Sequence, residues 1–194
     1  RRPDGVAWVR PLIEYQVLTA RLKDRGVPQC ACGRRYLTAS IPTFSYSLDS
    51  IADQAMAWAR ANNRQRVVVL ANLMAPEFCD DFAVAACDAL RRAAQRHGVD
   101  LPAQNVYDHA APTNPNAAEA AEAYIRKRRD ADLFICLFQA YIRVLAKLAK
   151  EGAFPDPSRI AVVDYNQHYV PDLPLDLLGM KYLRAEFDPS LEGC

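Results

Sequence analysis

Glycine is scarce in this sequence: seven residues in 194, each standing alone at a helix end or in a turn. That excludes the glycine-rich loops that wrap a phosphate, which need several glycines within a few positions. Gly-x-Ser-x-Gly, His-Glu-x-x-His and Cys-x-x-Cys are all missing, so three common catalytic or metal frameworks drop out. Neither sign of charge dominates, because 24 basic and 23 acidic residues leave a net charge of +1. No strong field draws such a chain toward nucleic acid or an anionic membrane, so no DNA-reading module is expected within these residues. No apolar run approaches a membrane span, and "RRPDGVAWVRPL" at the start has neither a signal core nor a small-residue cleavage site. The expectation is a soluble, cytoplasmic chain with no membrane partner.

Six cysteines are present, at positions 30, 32, 79, 87, 136 and 194, scattered and mostly inside apolar runs. That pattern suits free buried thiols in a reducing compartment. Cys30 and Cys32 share one strand face and form half of a conceivable metal site. No second Cys/His pair with zinc spacing accompanies them, so strand packing is the favoured reading and no metal is expected.

What is present is ordinary globular material, 51% hydrophobic and 24% charged, long enough to enclose a core. Strand-like apolar runs recur at 5–9, 27–31, 43–46, 66–72, 105–107, 132–138 and 159–165, with helical patterns between most of them. Helices are predicted over 12–25, 48–62, 76–97, from Asn114 and Pro115 onward, and over 139–151. Gly26, Gly98 and Gly152 serve as stops. Alternating strand and helix predicts an α/β fold, a mostly parallel sheet with helices on both faces. Residues 32–44 and 165–177 read as irregular stretches.

Strand ends are where such a fold meets a ligand. At the end of 132–138 that place is taken by Cys136, Leu137 and Phe138, the last two large and apolar, and Gln139 is the first directional hydrogen-bonding group. The other ends supply Arg10, Asn72, Asp108, His109, Asn166 and Gln167. Aromatic and neutral polar groups mixed in this way suit a cleft that binds a small molecule without transforming it. Each polar residue has a plainer reading too, as a turn residue satisfying local backbone. His97 reads as a solvated helix end, and the run 126–130, "RKRRD", as a solvated C-terminus. No nucleophile, base and orienter assemble, so no catalytic residue, enzyme activity or cofactor is expected.

Four segments taken together, "PDGVAWVRPL", "LKDRGVPQCACGRR", "IPTFSYSLDSIADQAMAWARANNRQRVVVLAN" and "FPDPSRIAVVDYNQ", resemble the effector-binding domain of LacI/GalR-type transcription regulators. The resemblance runs along almost the whole chain. The same core occurs in periplasmic sugar-binding proteins and in some AraC-type xylose regulators. It implies a periplasmic-binding-protein-like fold of two doubly wound parallel-sheet lobes with a hinge, the N-terminal lobe incomplete in this chain. Residues 1–46 would be part of that lobe, 47–186 the C-terminal lobe, and 187–194 the return crossing. It implies as well a homodimer, a small-molecule effector, and a helix-turn-helix upstream as the only route to DNA. Residues 1–46 would then not be stable by themselves.

Sugar-binding members usually carry an Asn-Asp pair near Leu137–Phe138, and a ligand-gripping arginine falls at Phe82 by this register. The family aspartate falls at Asn166, and the glycine before it at Asp164. A site built to bond hydroxyls loses heavily when its partners become apolar. The implied cleft is therefore flanked by Phe82, Phe138 and Phe187 and oriented by Arg10, Asp108, His109, Gln139 and Asn166. Its effector is carbohydrate-like, though not a standard sugar held in the standard way. Three alternatives stay open: a decayed cleft serving dimerisation alone, a solute-binding protein for uptake, and a hydrolase using Asp108, His109 and Asn166.

Overall fold

Buried valines and leucines with no polar interruption become the centre of a parallel sheet, because both of its faces are covered. In this computed structural model the described residues are 5–8, 16–32, 43–44, 47–71, 82–108, 117–165 and 178–184. Two compact units emerge, one of residues 1–47, 80–82 and 187–194, the other of 48–79 and 83–186.

The first unit contains a three-stranded parallel sheet in the order β1-β2-β3, with β1 at Val6–Trp8, β2 at Gln29–Cys32 and β3 at Thr43–Phe44. Helix α1, Gln16–Asp24, joins β1 to β2. Cys30 is a half-buried free thiol in β2. No group of three or more metal-ligating side chains occurs among the described residues.

The second unit holds a five-stranded sheet, all parallel, in the order β5-β4-β6-β7-β8. Its strands are β4 (Val67–Ala71), β5 (Val106–Asp108), β6 (Leu133–Cys136), β7 (Ala161–Asp164) and β8 (Lys181–Arg184). Four helices accompany them: α2 (Leu48–Ala61), α3 (Phe82–His97), α4 (Ala117–Arg126) and α5 (Gln139–Lys150). Val68, Leu70, Phe134, Cys136 and Val162 join Ala121, Ile125, Ile142 and Leu145 in one core, so α4 and α5 cover that face. The alternate residues Val67, Val69, Leu133, Ile135, Ala161 and Val163 are equally buried and point to the other face. There α2 and α3 lie side by side, joined by Arg92 to Asp49 at 2.8 Å and Arg96 to Asp53 at 2.9 Å.

Helix ends follow local chemistry. Gly98 and Gly152 adopt φ of 63° and 70°, the left-handed region open to glycine. Past each, the chain doubles back in a Schellman turn: Val99 N donates to Ala94 O, and Ala153 N to Leu148 O.

Several expectations change. Strand β6 stops at Cys136, and Leu137–Phe138 form a bend. The segment Lys181–Arg184, not anticipated as a strand, pairs with β7; with a basic residue at each end and only Tyr182 and Leu183 between, it is too short to read as a strand until its neighbour is in place. His97 is not a solvated end: its side chain is 30% exposed and its Nε2 lies 3.1 Å from Asp53 Oδ1. The Arg96 hydrogen bond first, and His97 with it, hold the Asp53 carboxyl below its usual range. The basic run after α4 is also tied down in part. Arg126 bonds Glu122 and Glu151, and Arg128 lies 3.7 Å above the Tyr124 ring while donating to the Gln104 carbonyl.

At the amino edge of the sheet, Asp132 is buried, 7% exposed. It accepts from the amides of Gln65 and Arg66 and from the Arg66 guanidinium at 3.0 Å. Burial pushes its pKa up, but these donors outweigh burial, and the net direction is down. A folded-state pKa below the unfolded one contributes stability that is present above about pH 4 and lost as pH falls through the folded value. Asp132→Asn should therefore cost about 1–3 kcal/mol at pH 7, and urea unfolding repeated at lower pH should show that gap closing below about pH 4.

Candidate functional site

Chain order and spatial order disagree at one place in the five-stranded sheet. From β4 the chain crosses to β5 on one side, then returns past β4 to reach β6. The crevice outside the carboxyl ends of two strands so related is where doubly wound proteins bind ligands. Register fixes which residues end there: Ala71 beside Asp108, Leu70 beside Cys136, Cys136 beside Asp164, and Asp164 beside Arg184.

Leu137 and Phe138 carry the chain from β6 into α5. The Leu137 amide donates to the Leu70 carbonyl at 3.0 Å, and its side chain has no exposure. It belongs to the core and lines no cleft. Phe138 is extended, with φ −136° and ψ 142°, and its half-buried ring packs against the cluster that contains Tyr141 and Ile142. No side chain caps α5, so the first-turn amides bring partial positive charge to this edge.

Two tyrosines absent from the sequence-based set shape the same edge. Tyr141, in the first turn of α5, donates its hydroxyl to the Ala71 carbonyl at 3.3 Å, bridging from α5 to the end of β4. Its ring stands edge-on to Tyr107 at 5.9 Å, and Tyr107 lies 4.6 Å from Tyr124. Tyr165 follows β7 and is 1% exposed. Its amide donates to the Cys136 carbonyl at 3.0 Å and its hydroxyl to the Leu48 carbonyl at 2.6 Å. Burial pushes both phenols' pKa values up, so both act as neutral donors. The available sequence signal was a tyrosine inside or just after a buried apolar run, whose polar tip needs a partner.

Of the eight expected site residues, Phe138 alone is described with its side chain. Phe82 opens α3, Asp108 ends β5 and Gln139 opens α5, which places the backbone of Asp108, Phe138 and Gln139 at one sheet edge. Arg10, His109, Asn166 and Phe187 lie outside the described residues. Among the described residues, no helix is long and apolar enough to cross a membrane.

No protein-family model and no curated protein matches the sequence. Solved structures do. A regulatory protein of the LacI family from Chloroflexus aggregans aligns over 98% of this chain and 77% of its own, at 14% identity and a TM-score of 0.61. A sugar-binding transcriptional regulator of the LacI family from Escherichia coli, complexed with phosphate, aligns over 91% and 66%, at 14% identity and 0.59. The fold is that of the LacI-type regulators. A third structure, the transcriptional regulator CelR in complex with cellobiose, aligns over 95% of this chain and 64% of its own, at 17% identity and 0.59. The chain thus spans 64% to 77% of the length of these LacI-type and related structures. Identity this low speaks for the backbone path alone, and ligand contacts do not carry over with it.

The geometry separates Leu137 from Phe138. Leu137→Asn should cost about 2–4 kcal/mol in urea unfolding, because it buries an amide and loses apolar contact. Phe138→Asp, at a half-buried position, should cost clearly less.

Proposed function

We propose that this chain is the effector-binding and dimerisation domain of a cytoplasmic transcription regulator. The observation that supports the reading is the LacI-type fold, shared with the three transcription regulators described above. The chain divisions at Ser47/Leu48 and at Glu186/Phe187 lie within one residue of the bounds 1–46, 47–186 and 187–194 and support that assignment to two lobes, with 80–82 grouping instead with the first. A small molecule would favour one relation of the lobes and pass that preference, through a homodimer, to a DNA-binding module outside these residues. Such a switch works only through differential affinity for the two states.

The site lies at the carboxyl edge of the five-stranded sheet. In this reading Phe82, Phe138 and Phe187 would provide apolar walls, and Arg10, Asp108, His109, Gln139 and Asn166 would provide orientation. The effector is carbohydrate-like with an apolar or aromatic portion, because Leu137 is withdrawn into the core and Phe138 offers a ring. No cofactor or metal enters this reading, and no catalysis.

A second reading, a closed-up cleft that serves dimerisation alone, draws support from Tyr141, whose phenol already occupies the Ala71 carbonyl between β4 and α5. Calorimetric titration of the full-length regulator separates the two. Aryl glycosides should give heat at about 10 μM affinity or tighter, while xylose, ribose and glucose stay silent at millimolar concentration. Micromolar binding of a plain pentose or hexose would overturn the aromatic-wall site. Silence from every compound, with an intact dimer in sedimentation, would favour the second reading.

A further inference from the structure

One buried phenol joins two places that matter to the reading above. Tyr165 is the first residue after β7, and Asn166, an expected ligand contact, is the next. Leu48 is the first residue of the second unit and the first of α2. The two lie 117 positions apart in sequence, yet the Tyr165 hydroxyl donates to the Leu48 carbonyl at 2.6 Å. The other end of Tyr165 is held as firmly, its amide bonded to the Cys136 carbonyl of β6.

The surroundings leave the ring little freedom. Tyr165 is 1% exposed, with Asp49 of α2 and both Cys87 and Arg92 of α3 close enough to act on its phenol electrostatically. Asp49 and Arg92 pair at 2.8 Å, linking the two helices at the same place. A phenol so enclosed has one strong bond to give, and it goes to the residue where the chain enters this unit.

We propose that Tyr165 is a positioning residue that fixes the point of passage between the units to the ligand-facing end of β7. The anchoring itself needs no ligand, so it stands or falls separately from effector binding.

The test is hydrogen–deuterium exchange by mass spectrometry on the full-length protein, comparing wild type with Tyr165→Phe. Phenylalanine keeps the ring and removes only the bond. Losing about 1 kcal/mol at one place corresponds to roughly fivefold faster exchange. That acceleration should appear in the first two and a half turns of α2, residues 48–56, and leave β6, residues 133–136, unchanged. Tyr141→Phe, which removes the other buried phenol's bond to Ala71, should leave residues 48–56 unaffected. Unchanged exchange at 48–56 in Tyr165→Phe overturns the proposal. So does equal acceleration at 48–56 and 133–136, or an equal effect from Tyr141→Phe, because the bond would then support general stability with no local anchoring.

Discussion

The pairing of β4 with β6 is the constraint on which the larger unit depends. It brings together residues some 66 positions apart, Val67 beside Leu133 through Leu70 beside Cys136. Apolar burial supplies the drive, since every side chain of both strands is buried and each fully buried Val, Leu, Ile or Phe contributes about 1.5–3 kcal/mol. Burial alone has no preferred register within two such uniform runs. Asp132 supplies that preference: its carboxylate fits the Gln65 and Arg66 amides and the Arg66 guanidinium in one alignment. A slip by one residue would reverse the faces and leave Asp132 buried without those donors, a cost of several kcal/mol.

Once β4 and β6 are in register, the position of the site follows. The switch in crossover direction falls between them, and the ends of β5, β7 and α5 are brought to the same edge. Leu137 is drawn into the core by its bond to Leu70, which leaves Phe138 as the first side chain of that bend with any exposure. The phenols of Tyr141 and Tyr165 then tie the edge to backbone carbonyls at Ala71 and Leu48. This edge is thus framed by backbone bonds and rings, while the described ion pairs lie along the helices.

Those charges are arranged across the helix pairs. Asp49 and Asp53 of α2 meet Arg92 and Arg96 of α3, while Glu122 and Arg126 of α4 meet Lys147 of α5 and Glu151 beyond it. These pairs stand in solvent, where screening and side-chain entropy leave them little net effect on stability. Their use is alignment: they set which turn of one helix faces which turn of the next, over a core that has already formed.

The sequence by itself determined the α/β class, the parallel sheet, and the helix stops at Gly98 and Gly152, because apolar period and glycine conformation are properties of a few neighbouring residues. It also carried the resemblance that the fold bears out, and it marked the β6–α5 junction as the place to look. Tertiary structure alone decided that Leu137 is core while Phe138 stays half-buried, and that KYLR is a strand. The same holds for His97 meeting Asp53 across 44 positions, and for Tyr141 and Tyr165 finding carbonyls 70 and 117 positions away. The physical reason is the same in each case. A buried polar tip or an edge strand is defined by its partner, and the partner is adjacent only after the sheet has formed.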